Sequence, residues 1–430
     1  MEESDEIKRL RSLVEKGARM RYGSTAYNKG GSITGNGGSI PYAVQQRIDY
    51  ELDAIAKCNR TGNCNQSGKC NCAEYLLIAH DTVKTAREQF GAVVGPGRNS
   101  AAGSILNYCL GITDVDPLRF GLLFERFINP DFQYGSPMDI DIDVDEENRD
   151  RVAEWLDEKY PASAAHYDIL GFGELAKIKD VAGPGSVPLD DPETLALFRE
   201  ARTTGIYQFD NAGMRYLLLK FLPNSFSDLV LLNAVYRPEL MHLIPELTRN
   251  KFSRSRNKTY RSIKNAGNFS NSGNSRNNPG CSCGRFSQAL GDTGQSDNVQ
   301  GQLCSNAGKS RSNSVRSGIQ YPIPAMAEIL DETYGIIVYQ EQIMQLAQKL
   351  AGFSPTESNI LRRALCRKDD EKLKNMKWNF LNGGLERGHE KNALEECWDM
   401  MFRGRLAFLK SHTVCYTYLA YKMGYCKRVS

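Results

Sequence analysis

Apolar residues recur every three or four positions along several stretches of the chain, as they do on the buried face of a helix. The clearest example is 41–57, in which Val44, Ile48, Leu52 and Ile55 are spaced in this way. Helical patterns are also read over 73–89, 321–353 and 357–427, and a polar helix is predicted over 145–160. Helices are therefore expected in both halves of the chain.

One segment, MDIDIDV, alternates acidic and branched side chains, which is the period-two pattern of a strand. Residues two apart point to the same side of a strand, so Asp139, Asp141 and Asp143 share one face. Their negative charges repel, and Mg²⁺ is the usual compensation because it prefers hard oxygen ligands. The alternative is an exposed edge strand whose charges discourage aggregation. A two-metal site needs a carboxylate from a second strand, and the apolar run HYDILGFG offers Asp168.

A Gly-rich segment, GAVVGPGRNSAAGSILNYCLG, precedes the acidic strand. Its pattern predicts a strand, a tight turn and a helix that begins near Gly103 and Ser104. The unpaired N–H groups and partial positive charge of a helix start suit a phosphate, and Arg98 adds a planar cation. The segment fits neither the Walker nor the dinucleotide pattern, so a phosphate site here depends on the neighbouring acidic strand.

Charge and hydropathy exclude some classes of protein. The 430 residues carry 54 Lys and Arg against 51 Asp and Glu, so bulk charge does not select the partner. No apolar run approaches the roughly 20 residues of a membrane-spanning helix, and the first residues lack the apolar stretch of a signal peptide. We therefore expect a soluble, cytoplasmic protein that has no membrane partner.

The composition changes between residues 252 and 318, where Ser, Asn, Gly and Arg dominate. Over 251–318 there are eleven Lys and Arg residues but only two acidic ones. So few aliphatic residues cannot offset the entropy of ordering the chain, and disorder is predicted. Such a basic tract can contact phosphates, although a solvated linker is the favoured role.

The twelve cysteines are not spread like a disulfide framework, and in a reducing cytosol they stay thiols. Four of them crowd one Gly- and Asn-rich loop and are candidate zinc ligands: Cys58, Cys64, Cys70 and Cys72. Their spacing lacks the paired C-x₂-C hooks of a zinc ribbon. An unstructured insert whose thiols bind no metal is therefore favoured over a zinc site.

Longer blocks of the sequence resemble one family. VGPGRNSAAGSILNYCLGITDVDPLRFGLLFERFINP followed by MDIDIDV is similar to the palm of bacterial C-family replicative DNA polymerases, the polymerase III alpha subunits. The similarity continues in order through YDILGFGEL, TTGIYQFDNAGMRYLL, FSDLVLLNAVYRPEL, LDETYGIIVYQEQIMQLAQKLAGFS, NILRRAL and LKSHTVCYTYLAYKMGY. These blocks span most of 41–427 apart from two insert-like stretches.

The resemblance implies a mixed α/β fold, in which a nucleotidyltransferase palm of the polymerase-beta type is followed by a mainly helical fingers domain. An N-terminal helical part of the palm is expected over 1–90, with a Cys-rich loop at 58–72. The catalytic palm core is expected over 91–185. The fingers are expected over 186–430, interrupted by the disordered insert at 252–318.

The family implies template-directed DNA synthesis, in which two Mg²⁺ support attack of a primer 3′-hydroxyl on a dNTP. Its partners would be primer–template DNA, dNTPs and other replication subunits. The family's catalytic, metal-binding aspartates fall on Asp139, Asp141 and Asp168. Its substrate-binding positions fall on Arg98, Asn99, Ser100, Gly103, Ser104, Arg126, Arg362, Arg363, Lys410 and His412.

Some positions depart from the family pattern. Asn99 stands where the family has a glycine, and His166 stands where a basic residue is usual. Only 27 positions separate Asp141 from Asp168, where the family places a long stretch that includes its thumb. We therefore expect a truncated or divergent copy that lacks the PHP, thumb and C-terminal domains and has poor processivity.

Two other functions stay open at this point. One is a catalytically defective, non-processive remnant of a polymerase III alpha subunit that still binds nucleic acid. The other is a nucleotide-binding regulator that has no DNA contact, which would bind dNTPs independently of primer–template and with little dependence on salt.

Overall fold

The fold is known for most of the chain outside the Ser- and Asn-rich tract. The computed structural model describes residues 4–23, 39–61, 71–128, 140–163, 167–181, 187–254 and 319–429. One unit of the chain comprises Met1–Arg249 and Tyr321–Ser430. A second unit, Asn250–Gln320, is described only over 250–254 and 319–320.

Helices form most of the described residues. In the first half they are α1 Asp5–Tyr22, α2 Tyr42–Thr61, α3 Cys72–Glu88, α4 Ile105–Cys109, α5 Arg149–Lys159, α6 Pro192–Arg199, α7 Ala212–Phe221, α8 Phe226–Val235 and α9 over 244–254. In the second half they are α10 Ala327–Leu330, α11 Gln340–Ala351, α12 Pro355–Arg367, α13 Asp370–Glu386, α14 Lys391–Arg403 and α15 Lys410–Val429. Each predicted stretch contains helix, although 321–353 is interrupted at 334–339 and 357–427 is divided among four helices.

Local sequence fixes where several helices begin. At α12 the Ser354 hydroxyl accepts a hydrogen bond from the Glu357 backbone N–H at 3.1 Å, and the Glu357 carboxylate accepts one from the Ser354 N–H at 2.8 Å. Pro355 occupies the first turn, where its missing N–H costs nothing. At α6 the Asp191 side chain plays the same capping role.

Two short strands form a parallel pair. They are β1 Asp141–Val144 and β2 Asp168–Gly171, and Asp141 is aligned with Asp168. The predicted strands are therefore confirmed for these residues. The strand predicted at the start of the Gly-rich segment is wrong, because within the described residues it makes only a single bridge, between Val94 and Val144.

Three apolar clusters form the interior. The first joins α1 to α5 with the strands and includes Leu10, Ile48, Leu76, Ile105 and Val144. The second joins α6, α7 and α8 to α15 and includes Phe198, Leu218, Leu231 and Tyr421. The third joins α10 to α14 and includes Leu346, Leu361, Phe380 and Leu394. Helix α15 also packs against the 3₁₀ helix Asn99–Gly103, which brings the end of the chain to the Gly-rich segment.

The predicted disorder cannot be compared with the structure over most of its length, because 255–318 lies outside the described residues. Residues 252–254 belong to the end of α9, so the predicted beginning of disorder at 252 is three residues too early. No helix within the described residues combines the length and apolar character needed to cross a bilayer.

A buried polar cluster ties α15 to the first apolar cluster. Lys422 is only 1% exposed and faces Asp114. The Nη2 atoms of Arg21 and Arg87 lie 3.5 and 3.6 Å from the Oδ1 atom of Asp114. Burial lowers the pKa of Lys422 to about 8, although the Asp114 carboxylate opposes the change.

This pKa predicts a pH-dependent stability. Between about pH 8 and the pKa of an unfolded lysine, near 10.4, the unfolded chain binds more protons at Lys422 than the folded chain does. The free energy of unfolding of the wild type, relative to Lys422→Met, should therefore rise by about 3 kcal/mol across this window. Urea denaturation at a series of pH values measures it. Lys374→Met removes an exposed lysine on α13 and is the control; a flat difference for Lys422→Met would contradict the assignment.

Candidate active site

The strand pair brings two of the predicted catalytic residues together. Asp141 and Asp168 are aligned in register on neighbouring parallel strands, so their side chains leave the same face. The opposite face is apolar, with Ile142 and Val144 buried. Asp168 is exposed and Asp141 is half-buried, so this face of the pair is accessible to solvent at its N-terminal end. Asp139, the third predicted catalytic residue, lies outside the described residues.

Asp143 shares this face but is buried, with 3% of its surface exposed. Its carboxylate accepts two hydrogen bonds from the Arg98 guanidinium, one from Nε at 3.1 Å and one from Nη2. Burial raises the pKa of Asp143, and Arg98 offsets part of that rise. Arg98 was predicted to bind a substrate phosphate, but in this structure its guanidinium neutralises a neighbouring carboxylate.

The turn that carries Arg98 lies directly against β1. The Gly95 N–H donates to the Asp143 carbonyl oxygen at 2.8 Å, and a Cβ at Gly95 would lie 2.9 Å from the Asp143 Cβ. Gly97 has φ +94°, which side chains rarely adopt. Glycine at position 95 therefore permits the close approach of the turn to the acidic strand, and glycine at position 97 permits the backbone conformation of the turn.

Asn99 and His412 meet beside Asp141. The Asn99 Nδ2 atom donates to the Asp141 Oδ2 atom at 2.7 Å, and the His412 Nδ1 atom lies 2.9 Å from the Asn99 Oδ1 atom. Burial, together with the nearby Arg237 and Arg98 guanidinium groups, lowers the pKa of His412 to about 4. His412 is therefore neutral at physiological pH. Ser100, the other residue of the predicted phosphate element, is half-buried next to Asn99.

The start of α4 is not available to a phosphate. The N–H groups of Ile105 and Leu106 donate to the buried Glu51 carboxylate at 3.1 and 3.3 Å, and the Ser104 hydroxyl donates to it at 2.7 Å. Gly103 is buried, and its carbonyl oxygen accepts a hydrogen bond from Arg47. The expectation that these helix-start N–H groups are unpaired is therefore corrected, because a carboxylate from α2 already occupies them.

Three further predicted residues, Arg126, Arg362 and Arg363, lie where α12 meets the 3₁₀ helix Phe124–Arg126. The Asn359 side chain donates to the Glu125 carbonyl oxygen at 2.9 Å, although 234 positions separate them. Arg362 donates from Nε to Asn359 at 3.0 Å and from Nη1 to Gln340 at 3.2 Å. This docking places two of the predicted arginines, Arg126 and Arg362, close together.

Positive charge at this junction is only partly compensated. Burial, followed by the proximity of Arg126, lowers the pKa of Arg362 to about 9. Burial also lowers the pKa of Arg126, and its Nε atom has no hydrogen-bond partner among the described residues. Arg363, on the same helix, is half-buried, and burial lowers its pKa as well. The junction is therefore suited to an anion.

Lys410 is engaged elsewhere. Its ammonium group donates to both oxygens of Glu332, at 3.0 and 2.8 Å, and its backbone N–H donates to Glu341. The residue is 8% exposed and borders a cavity of ≈ 370 Å³. None of the other predicted site residues lines that cavity. Lys410 thus forms an internal ion pair rather than presenting an uncompensated charge.

Two residues near His412 were missed by the sequence reasoning. Arg237 stacks on Phe408, with its Cζ atom 3.5 Å from the ring centroid, and its Nε atom has no hydrogen-bond partner among the described residues. The Tyr416 ring lies 4.3 Å from the His412 ring and 5.6 Å from the Arg98 Cζ atom. The spacing of four between His412 and Tyr416 on a predicted helix was a usable signal. For Arg237 the sequence offered no signal beyond its position in the segment FSDLVLLNAVYRPEL, which resembles the family.

The cysteine cluster is only partly described. Cys58 and Cys72 are both buried, and a hydrogen bond with Cys58, together with burial, raises the pKa of the Cys72 thiol. Cys64 and Cys70 lie outside the described residues, as does His166. The zinc hypothesis therefore stays a prediction.

The fit of a divalent cation can be judged from the donors present. Across the described residues, no three or more His, Cys, Asp or Glu side chains cluster as a metal site requires. Asp141 and Asp168 nevertheless supply carboxylate oxygens, which Mg²⁺ prefers, from neighbouring strands. These two carboxylates fit a Mg²⁺ site that further ligands would complete.

Comparison with known proteins identifies the class of protein that this arrangement belongs to. The family model for the bacterial DNA polymerase III alpha NTPase domain matches residues 8–197. The model for the bacterial DNA polymerase III alpha subunit finger domain matches 175–265 and 308–388. The chain belongs to the bacterial DNA polymerase III alpha subunit family, as the resemblance indicated.

Curated relatives agree with this assignment. The chain is 26% identical to DNA polymerase III subunit alpha of Halalkalibacterium halodurans, over 97% of this chain and 42% of the relative. It is 27% identical to that of Campylobacter jejuni, over 89% and 37%, and 30% identical to that of Borreliella burgdorferi, over 89% and 38%. The chain therefore spans about two fifths of the length of these relatives.

The Arg98–Asp143 pair leads to a prediction about stability. Arg98→Met leaves a buried carboxylate without its cation and should lower the free energy of unfolding by about 3–5 kcal/mol. Adding Asp143→Asn removes that charge and should recover at least half of the loss. Chemical denaturation of the two single variants and the double variant measures this. Arg367→Met removes an exposed arginine of α12 and is the control; additive losses in the double variant would show that the two residues are not coupled.

Proposed function

We propose that this chain carries out template-directed DNA synthesis, transferring a nucleotide from a dNTP to a primer 3′-hydroxyl in DNA replication. The observation that carries the proposal is the alignment of Asp141 with Asp168 on adjacent parallel strands. Two carboxylates on one accessible face are the donors that a nucleotidyl-transfer site requires. Membership of the polymerase III alpha family supports this reading.

In the proposed site, Asp139, Asp141 and Asp168 hold two Mg²⁺. When bound, these ions would supply the positive charge that activates the primer hydroxyl and stabilises the departing pyrophosphate. Asn99 orients the Asp141 carboxylate through its Nδ2 hydrogen bond. Arg98 neutralises Asp143, so this third acidic group of the face does not add its repulsion to that of the metal-binding carboxylates.

Arg126, Arg362 and Arg363 are proposed to bind the triphosphate. Planar guanidinium groups bind phosphate oxygens in pairs, and a triphosphate carries enough negative charge to offset several cations. Burial lowers the pKa of all three arginines. A bound anion would stabilise the charged form of each guanidinium, so the lowered pKa values support the proposal. Lys410 is not included because Glu332 already compensates it.

The domain division belongs to the same proposal. Residues 1–90 and 91–185 would form a polymerase-beta-type palm, and 186–430 would form the fingers around the insert at 252–318. The first apolar cluster lies within 1–185 and the third within 321–430, whereas the second includes residues of both parts, such as Val115 and Leu231. Primer–template DNA and other replication subunits in the cytoplasm would be the partners.

The alternative is a catalytically defective, non-processive remnant that binds nucleic acid. It is favoured by the short connection between the catalytic strands, in which α5 is the only α-helix among the described residues. Backbone contacts supply much of the affinity for duplex DNA, so a site with few surrounding elements should release its product readily. Poor processivity is therefore expected of the chain as a polymerase.

Primer extension with Mg²⁺ separates the two functions. The wild type should extend a primer by one or a few nucleotides per encounter. Asp139→Ala, Asp141→Asn and Asp168→Asn should each reduce the rate by about a thousandfold or more, because several kcal/mol of charge stabilisation would be lost. Asp150→Asn changes an exposed aspartate on α5 and is the matched control. Wild-type protein that binds DNA without extending it would support the remnant.

Nucleotide binding tests the arginines without requiring catalysis. Arg362→Met should weaken dNTP binding by about tenfold or more, the value of one hydrogen bond to a charged group. The melting temperature should change little, because the variant loses the hydrogen bonds of Arg362 to Asn359 and Gln340 but also removes the repulsion between Arg362 and Arg126. Calorimetric titration and thermal unfolding measure the two effects, and Arg367→Met is the control on the same helix. Unchanged affinity would exclude Arg362 from the triphosphate site.

A further inference from the structure

The two ends of the Cys-rich segment 58–72 meet in the structure. Cys58 lies in the last turn of α2, and Cys72 is the first residue of α3. They are 2% and 0% exposed, and both belong to the first apolar cluster. Their side chains are hydrogen-bonded to each other, and both are thiols rather than the halves of a disulfide. Two sulfur atoms are therefore held side by side in a buried position.

Polar contacts between the two helix ends hold the sulfur atoms in place. The Asn59 Oδ1 atom accepts a hydrogen bond from the Cys72 N–H at 2.7 Å, and the Asn59 Nδ2 atom donates one to the Asn71 Oδ1 atom at 3.0 Å. The same Asn71 oxygen accepts from the Glu74 N–H at 3.1 Å and so caps α3. The residue after Cys58 thus binds the backbone of Cys72, which places the two thiols without any bond between the sulfur atoms.

Other buried cysteines of the chain have different surroundings. Cys109, Cys397 and Cys415 are buried within the apolar clusters. Burial raises the pKa of each of these thiols, and within the described part of the chain no second thiol contributes. A single buried cysteine of this kind is a small apolar side chain. Apolar packing does not by itself explain why Cys58 and Cys72 lie in contact.

The composition of the segment suits a metal that prefers sulfur. Four of the twelve cysteines fall within 58–72, together with two basic residues and no Asp, Glu or His. Zn²⁺ in structural sites binds four ligands in a tetrahedron, commonly four cysteine sulfurs, and nearby positive charge favours the thiolate form that it requires. The paired C-x₂-C hooks of a zinc ribbon are absent, but they are not needed where two helix ends already bring two ligands together.

We propose that Cys58 and Cys72 are ligands of a structural zinc ion that fastens the end of α2 to the start of α3. The metal replaces the hydrogen atoms of both thiols, and the partial positive charge at the start of α3 stabilises the Cys72 thiolate. Among the described residues these two side chains are the ligands present. Cys64 and Cys70, which lie outside the described residues, are the other cysteines of the segment. The inference does not depend on the proposed function.

Metal content tests the ligands directly. Wild-type protein purified without a chelator should contain about one zinc ion per chain by inductively coupled plasma mass spectrometry. Cys58→Ser and Cys72→Ser should each lose most of this zinc, and Cys64→Ser and Cys70→Ser should lose it as well. Cys397→Ser, which changes a buried cysteine of the third apolar cluster, is the matched control and should keep it. Full zinc content in Cys58→Ser or Cys72→Ser would overturn the proposal.

A second measurement uses only the wild type, so it does not depend on whether the variants fold. After zinc is removed with a chelator, added Co²⁺ should produce sulfur-to-metal charge-transfer absorption, which Zn²⁺ then abolishes. Chelation should also lower the melting temperature by several degrees, because the metal binds the folded chain, and Zn²⁺ but not Mg²⁺ should restore it. A wild type that takes up neither metal, or in which Cys58 and Cys72 form a disulfide, would contradict the assignment. None of these measurements requires DNA synthesis, so their failure is distinct from failure of the proposed function.

Discussion

The need to neutralise a buried carboxylate organises the candidate active site. Asp143 lies within the acidic strand but is buried, and a buried charge without a partner would cost several kcal/mol. Arg98 supplies the partner, and the backbone hydrogen bond from Gly95 holds the same turn against β1. Because Arg98 is fixed in this way, Asn99 is placed beside Asp141 and can reach the last helix. One ion pair thus sets the relation between the Gly-rich turn and the strand.

Buried polar groups also join the distant segments of the chain. Glu51 of α2 binds the start of α4, Asn359 of α12 binds the 3₁₀ helix Phe124–Arg126, and Lys422 of α15 faces Asp114. Apolar packing brings these segments together without direction, whereas each of these contacts requires a defined partner geometry. They therefore explain how segments far apart in the sequence are held together in a defined arrangement.

The elements of the fold were largely predictable. Apolar spacing gave the helices, because one buried face on a helix imposes a period of 3.6 residues. The MDIDIDV alternation and the HYDILGFG run gave both strands. The strand predicted before the Gly-rich turn was wrong, since a short apolar run does not by itself provide a neighbour with which to pair. The prediction of unpaired N–H groups at the start of α4 was wrong as well, because the carboxylate that accepts their hydrogen bonds comes from another helix.

The amino-acid sequence alone thus determined the family, the period of each element and the residue types that could perform phosphoryl chemistry. Only the tertiary structure decided which charged groups lie together. Arg98 forms an ion pair with Asp143, Lys410 forms one with Glu332, and Arg362 lies close to Arg126. The physical reason is the separation along the chain over which each effect acts. Periodicity depends on neighbours along the chain, whereas a charge interacts with whatever the fold brings within a few ångströms of it, often hundreds of positions away.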